Sequence, residues 1–156
     1  MSFDAPDTPA IDGRGIAVGI VAARYNGSLV DALVGNCAKV IEAAGATVET
    51  IRVPGSHELP ITAQALARTG RFQVIIALGV IIRGGTIHYD VIAHSSADAL
   101  QRVALDEGLP VINGVITAEN RLQADERCRG ETDRGAEFGR AALEMAVVLR
   151  GIRDKS

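Results

Sequence analysis

The chain has 156 residues, a length typical of one domain that buries enough surface to fold without disulfides or a structural metal. Hydrophobic residues make up 47% and charged residues 22%, which excludes a disordered or fibrous protein, and the longest strongly apolar run, residues 74–82, is about half a membrane span. The formal net charge of −3 argues against a general nucleic-acid-binding surface.

The predicted elements begin after a short N-terminal stretch. Residues 1–13 mix Asp, Pro and Thr with few apolar side chains, so we expect a flexible segment followed by a single domain over residues 14–156. Residues 16–23 form a continuous run of small apolar side chains, which predicts a strand buried on both faces. A helix is expected next, with Ser28 as its N-cap and Gly45 at its end.

The rest of the chain repeats this order. Residues 47–53 are predicted to form a second strand, and residues 57–68 a short helix with Ser56 as its cap and Pro60 in its first turn. The remaining predicted elements are a strand over residues 74–82, a helix over 89–107, a strand over 111–116, a short helix after 120, a polar connector over 128–133 and a last helix over 135–150. Asn120 and Gln123 are predicted to form the capping box of the short helix.

Strands and helices thus alternate four times, with one extra helix. This order predicts a four-stranded parallel sheet covered by helices on both faces, a three-layer α/β/α sandwich with flavodoxin-like winding. Ligands of such sheets bind beyond the carboxyl ends of the strands. The rule selects the loops at residues 24–27, 54–58, 83–88 and 117–120 as places for functional residues.

The loop 83–88 carries the clearest chemistry. It joins a buried strand to a helix, and the backbone N–H groups around Gly84 and Gly85 predict an anion site to which the Thr86 hydroxyl can donate. A tight strand-to-helix turn explains the same sequence equally well. His88 can transfer protons near neutral pH or serve only as a structural imidazole.

Two further loops offer ligand-binding groups. Residues 56–58 (Ser-His-Glu) can present backbone groups and a carboxylate to a polyhydroxyl chain, and the ring of Tyr25 can stack on a planar ligand. Helix capping and ordinary packing are the alternative interpretations. The sequence has no nucleophile elbow and no dinucleotide or P-loop glycine pattern, and His88 and His94 do not share a helix face, so no metal site is expected.

The two cysteines, Cys37 and Cys128, are far apart in the sequence and form neither a disulfide pattern nor a metal-binding spacing. The chain does not start with a basic stretch followed by an apolar one, so no secretory signal is expected. We therefore expect a cytoplasmic protein.

Five stretches form a recognisable pattern: residues 53–60 (VPGSHELP), 77–90 (ALGVIIRGGTIHYD), 113–117 (NGVIT), 123–127 (QADER) and 141–145 (AALEM). Together they resemble the signatures of the 6,7-dimethyl-8-ribityllumazine synthase family. The resemblance implies a transferase of the penultimate step of riboflavin biosynthesis. That reaction condenses 5-amino-6-(D-ribitylamino)uracil with 3,4-dihydroxy-2-butanone 4-phosphate, releases phosphate and water, and uses neither a metal nor a cofactor.

The resemblance also implies roles for individual residues. Those expected to hold the pyrimidine ring or the ribityl chain are Tyr25, Ser56, His57, Glu58, Val80, Ile81, Ile82 and Asn113. The phosphate is expected to be held by Gly85, Thr86 and Arg127. His88 is the expected proton carrier.

Three positions differ from the common family pattern. Asn113 stands where an aromatic residue usually sandwiches the heterocycle, and His57 where the residue is commonly bulky and apolar. Arg134, a further candidate for the site, replaces a lysine. Losing a stacking partner lowers ring affinity by about 1 kcal/mol. The alternatives to an enzyme are therefore a flavin- or lumazine-binding module that has lost catalysis, and a purely structural shell protein.

The predicted last helix is apolar around most of its circumference, which indicates either association with another chain or deep packing. The resemblance implies a homopentamer or a multiple of it, up to a sixty-subunit shell, with each site shared between adjacent subunits. Arg127 and Asn113 would then face Tyr25 and His57 of the neighbouring subunit. Riboflavin synthase is a further partner that the resemblance implies, whereas nucleic-acid and membrane partners are not expected.

Overall fold

In the part of the chain that the computed structural model describes, residue 7 and residues 9–155, four parallel strands form one sheet with helices on both faces. The elements are β1 (Ala17–Ala23), α1 (Gly27–Ala43), β2 (Thr47–Val53), a 3₁₀ turn (Ser56–Glu58), α2 (Leu59–Arg68), β3 (Val74–Ile82), α3 (His88–Glu107), β4 (Val111–Ala118), α4 (Arg121–Arg129) and α5 (Arg134–Asp154). The predicted three-layer α/β/α fold is confirmed.

The side chains of the central strand β1 explain why helices cover both faces of the sheet. Val18 and Ile20 pack into a core formed with α1, α4 and α5, whereas Val21 packs into a second core formed with α2 and α3. Side chains of a strand alternate between the two faces, so a strand covered on both sides is apolar at every position. The continuous apolar runs of β1 and β3 are therefore the direct cause of the layered architecture.

The order of the strands is β2-β1-β3-β4, with every neighbouring pair parallel. The chain leaves β1 toward one side to form β2 and then crosses back to form β3 on the other side. The carboxyl ends of β1, β2 and β3 meet at one edge of the sheet. A crevice opens there, outside the point where the winding reverses, and this is where such sheets bind ligands.

Two capping predictions are wrong. Helix α1 begins at Gly27 after Asn26, which has a left-handed backbone (φ 57°) and whose Nδ2 donates to the carbonyl of Val80 at 2.8 Å. Ser28 is therefore already inside the helix, and its Oγ accepts a bond from Arg121 Nη2 at 3.4 Å. Ser56 is the first residue of the 3₁₀ turn instead of a cap, because the N-cap of this turn is Gly55.

The capping box at Asn120 is half right. Asn120 Oδ1 accepts a bond from Gln123 N at 2.9 Å, as predicted. Gln123 Oε1, however, accepts from the backbone N–H of Glu119 at 2.8 Å, one residue before the predicted partner. Helix α4 continues through the fully buried Cys128 and ends at Arg129. The first two residues of the predicted polar connector, 128 and 129, therefore belong to the helix.

Helix α5 runs to Asp154, four residues beyond its predicted end, and β4 reaches Ala118, two residues beyond. At the start of the chain, residues 1–6 and 8 of the predicted flexible segment lie outside the described residues. Ile11 packs against the core, and Gly13 N donates to the carbonyl of Ala44 at 2.7 Å. Contacts with the core thus begin before residue 14.

Helices α5 and α1 approach each other closely because α5 has a glycine, Gly135, where it contacts α1, and no side chain separates the two backbones there. A Cβ on Gly135 would lie 2.8 Å from the carbonyl oxygen of Leu33, whereas a Cβ on Gly151 of the same helix would meet open space. We expect Gly135→Ala to destabilise the protein by about 1–3 kcal/mol, and Gly151→Ala to stabilise it by about 0.5–1 kcal/mol through helix propensity. Urea unfolding at a fixed protein concentration measures both; equal effects would contradict the close approach.

Candidate active site

A groove of about 670 Å³ opens at the carboxyl edge of the sheet, beside the reversal in strand order. Its walls come from the loops after β1 and β2, the end of β3 and the start of α3. The lining residues are Tyr25, Asn26, Gly55, Ser56, His57, Glu58, Val80, Ile81, Ile82, His88 and Ile92. Eight residues of the predicted site thus lie around one groove, although they come from four separate parts of the chain.

Tyr25 supplies a planar surface at the mouth of the groove. Its side chain is 73% exposed, and its backbone N–H donates to the carbonyl of Pro54 at 3.3 Å. One edge of the ring lies against Gly55, where an added Cβ would be 3.2 Å from Tyr25 Cδ2. The ring therefore stands close to the loop after β2 while most of its surface remains free for a planar ligand.

Ser56 forms part of the floor. The residue is only 8% exposed, and its hydroxyl makes no hydrogen bond to any residue that the structure describes. Its Oγ occupies space that exists because β3 has a glycine, since a Cβ on Gly79 would lie 2.6 Å from it. The oxygen itself is open to the groove, so it can exchange a water for a ligand group. Ser56 Oγ is thus a hydrogen-bonding group that a ligand can use.

Glu58 holds the neighbouring turn in shape. Its Oε2 accepts the backbone N–H of Gly55 at 3.0 Å, and its carbonyl accepts the Thr62 hydroxyl at 2.9 Å. One carboxylate oxygen is therefore committed to the turn, and the other remains available to the groove. His57 lies between Ser56 and Glu58 with its side chain exposed.

The loop 83–88 is exposed along its whole length. Neither Gly84 nor Gly85 has a left-handed backbone, and a Cβ on either would meet no atom within 4 Å. A tight turn that requires glycine is therefore not the reason for these residues. The space above them is open, as the approach of a ligand or another chain to the backbone requires.

The start of α3 completes this loop. His88 is the first residue of the helix, and its backbone N–H donates to Thr86 Oγ1 at 3.3 Å. Its exposed imidazole lies at the wall of the groove. The unsatisfied N–H groups of the first helical turn give this end a partial positive charge, which favours an anion beside Thr86.

Five predicted residues do not line the groove of their own chain: Gly85 and Thr86, which lie in the adjoining loop 83–88, and Asn113, Arg127 and Arg134. Asn113 is exposed on the edge strand β4, where its Oδ1 accepts the backbone N–H of Val115 at 3.1 Å. Arg127 is half-buried on α4, with Nη1 donating to the carbonyl of Gln123 at 3.1 Å. Arg134 packs against the Phe138 ring, 5.3 Å from guanidinium carbon to ring centroid. One protomer does not bring the side chains of these last three residues to Tyr25 and His88.

The sequence interpretation missed Gly79 and Asn26. A glycine inside an otherwise apolar strand marks a close approach by another group, so Gly79 carried a usable signal. The signal of Asn26 was weaker, because only the structure reveals that its amide donates to the end of β3.

Cysteine chemistry is absent from the groove. Burial raises the pKa of the Cys37 thiol to about 12 and that of Cys128 to about 11, so both stay protonated and unreactive near neutral pH. No cluster of three or more His, Cys, Asp or Glu side chains able to hold a metal occurs between residues 9 and 155 or at residue 7. Nor does that part of the chain contain a helix with the length and apolar character of a membrane span.

Comparison with known proteins identifies similar chains. The family model for 6,7-dimethyl-8-ribityllumazine synthase matches residues 15–150. Curated proteins of that name include one from Kineococcus radiotolerans, 43% identical over 97% of this chain and 96% of the relative. Another, from Thermococcus kodakarensis, is 39% identical over 92% of each chain, and one from Salinispora arenicola is 42% identical over 96% of this chain and 92% of its own.

Proposed function

Because this chain belongs to the 6,7-dimethyl-8-ribityllumazine synthase family, we propose that it condenses 5-amino-6-(D-ribitylamino)uracil with 3,4-dihydroxy-2-butanone 4-phosphate. The products are 6,7-dimethyl-8-ribityllumazine, phosphate and water, so the chain is a transferase of riboflavin biosynthesis. The family match over residues 15–150 carries this proposal, and the groove supports it with a ring, a free hydroxyl and an imidazole around one space.

The pyrimidine substrate fits the groove by shape and polarity. We place its ring between the Tyr25 side chain and the apolar wall formed by residues 80–82. The hydroxyls of the ribityl chain find hydrogen-bonding partners in Ser56 Oγ and the free oxygen of Glu58. His57, beside them, takes the position that is commonly apolar in the family.

The phosphate of the second substrate is proposed to lie at the loop 83–88. The backbone of Gly85, the Thr86 hydroxyl and the positive end of α3 all favour an anion there. Arg127 is proposed to supply the guanidinium that pairs with the phosphate, since planar bidentate donors suit this group. Arg127 lies outside the groove of its own chain, so this role requires the Arg127 of an adjacent subunit.

Catalysis by this arrangement depends mainly on positioning. Holding the amine of one substrate against the ketone of the other supplies several kcal/mol, up to roughly 7–11 for ideal alignment. Imine formation must move a proton from nitrogen to the departing oxygen, and loss of phosphate must remove a proton from carbon. We assign these transfers to His88, whose exposed imidazole lies at the groove wall beside the proposed phosphate site.

We further propose a homopentamer, or a multiple of it up to a shell, in which Arg127 and Asn113 of one subunit complete the groove of the next. Exposed apolar side chains support association: Ile87 and Val91 at the start of α3, and Met145, Val148 and Ile152 along α5. Native mass spectrometry would separate a pentamer from a decamer or a sixty-subunit shell. A cytoplasmic location and association with riboflavin synthase are part of the same proposal.

The proposed activity is tested by mixing both substrates with the purified chain and following the absorbance of the lumazine product. Product formation well above the spontaneous rate is the expected result. A binding module that has lost catalysis would instead retain flavin or lumazine tightly and leave the rate at the spontaneous level. A structural shell protein would assemble and show neither effect.

A further inference from the structure

An ion pair joins the start of the loop 83–88, hereafter the anion loop, to the end of the edge strand β4. Arg83 Nη1 lies 3.1 Å from Glu119 Oε2, and the backbone N–H of Arg83 donates to the carbonyl of Ala118 at 2.9 Å. Arg83 directly follows β3, and Glu119 directly follows β4. The pair thus closes the carboxyl end of the β3–β4 ladder at the point where the loop leaves the sheet.

The contacts continue from this pair into α4. The backbone N–H of Glu119 donates to Gln123 Oε1 at 2.8 Å. One turn further along the helix, Arg127 Nη1 donates to the carbonyl of Gln123 at 3.1 Å. An uninterrupted series of hydrogen bonds and backbone therefore links the loop that carries Thr86 and His88 to the guanidinium of Arg127.

We propose that Arg83 and Glu119 are positioning residues that fix the anion loop relative to Arg127. This inference rests on the proposed function, which assigns both groups to the phosphate. In a shared site, the anion loop of one subunit binds the phosphate together with Arg127 of the neighbouring subunit. The anion loop and Arg127 of the same subunit then belong to two different sites, and the ion pair between Arg83 and Glu119 helps to orient both.

The exposure of the pair decides between a positioning and a stabilising role. The two side chains are 60% and 54% exposed, and ion pairs at such positions contribute little to folding stability. The loop beyond Arg83 is fully exposed, and its glycines meet no atom that would hold them in place. A contact at the root of the loop therefore limits its motion while adding little to the core, and a preorganised loop binds its ligand more tightly.

The test compares Arg83→Met and Glu119→Ala with the conservative variant Glu119→Gln, which keeps an oxygen acceptor for the guanidinium. The matched control is Glu49→Ala, which breaks the 2.8 Å ion pair between Glu49 and Arg71, of similar exposure, at the amino end of the sheet. Steady-state kinetics are measured with each substrate varied in turn. The apparent Kd for inorganic phosphate is obtained from the rise in Tm that phosphate causes.

Arg83→Met and Glu119→Ala are each expected to raise the KM for the phosphorylated substrate and the Kd for phosphate about two- to five-fold, the range typical of one exposed ion pair. The KM for the pyrimidine and the Tm without phosphate should not change. Glu119→Gln should recover most of the phosphate affinity. The double variant Arg83→Met/Glu119→Ala should bind phosphate no more weakly than the single variant with the higher Kd. Glu49→Ala should match the unmodified chain.

A phosphate Kd unchanged in Glu119→Ala overturns the positioning role, as does an equal rise in both KM values or a fall in Tm that accounts for the loss. If the unmodified chain forms no product, the proposed function fails separately. A weaker phosphate Kd in Glu119→Ala would then still support the positioning role, because that measurement needs no turnover.

Discussion

Replacing Arg127 with alanine is expected to raise the KM for 3,4-dihydroxy-2-butanone 4-phosphate roughly 10- to 100-fold, since a hydrogen bond to a charged group contributes about 1.5–3 kcal/mol. The KM for the pyrimidine substrate should change little, because the groove that is proposed to hold the ring contains Tyr25 and residues 80–82 but not Arg127 of the same chain. Initial rates measured with each substrate varied separately will show which KM moves.

The control for this substitution is Arg129→Ala. Arg129 lies on the same helix as Arg127, is exposed, and is 3.6 Å from Asp125, so its removal changes the charge of α4 equally. We expect its kinetics to match those of the unmodified chain. If Arg127→Ala left the KM for the phosphorylated substrate unaltered, or if both alanine variants raised it equally, the guanidinium of Arg127 would not be a specific phosphate ligand.

Removing the imidazole of His88 is expected to lower kcat by at most about 10²- to 10⁴-fold while leaving measurable turnover. The residual rate follows from positioning, since the variant still brings the amine and the ketone together. The measurement is kcat for His88→Ala at saturating concentrations of both substrates, so that a change in binding does not enter the result.

His94→Ala provides the matched control, because His94 is exposed on the same helix and does not line the groove. Its kcat should equal that of the unmodified chain. An unchanged kcat in His88→Ala would remove His88 from the proton transfers, and an equal loss in both variants would point to an effect on α3 as a whole.

Much of the fold could be predicted because burial on two faces leaves a simple pattern. The bounds of β2 and β3 agree with the sequence prediction at both ends. Helix caps were harder, because a cap depends on which of several polar side chains wins a local competition. The side-chain amide of Asn26, for example, donates a hydrogen bond to the carbonyl of Val80, which lies far away in the sequence.

Helix α4 was underestimated for a related reason. Its surface is dominated by charged residues, with Arg121 and Arg129 both within 3.6 Å of Asp125, and only Ala124 and Cys128 are buried. Such a helix has a narrow apolar stripe, so its last turn resembles a polar connector in the sequence.

Only part of the candidate site could be predicted from the residues themselves. Three of the four loops that the rule for parallel sheets selected contribute residues to the groove, because the carboxyl ends of neighbouring strands must meet; the fourth, residues 117–120, does not line it. No periodicity within one chain indicates where Arg127 and Asn113 act, since contacts between copies leave no separate pattern in the sequence. Only the family resemblance assigned these two residues to the site, and their positions outside the groove are what a shared site requires.

The central claim, a site completed by the neighbouring subunit, is tested most directly by mixing His88→Ala and Arg127→Ala chains. The two variants are unfolded together in equal amounts and refolded, so that subunits combine at random. A site with both residues intact then forms wherever an Arg127→Ala subunit supplies His88 and an adjacent His88→Ala subunit supplies Arg127, which is about one site in four for a heterologous ring. The activity is measured with 3,4-dihydroxy-2-butanone 4-phosphate well below its KM, because only there is the Arg127→Ala site strongly impaired. Activity near a quarter of that of the unmodified chain is the predicted result; activity no higher than the mean of the separately refolded variants would contradict a shared site.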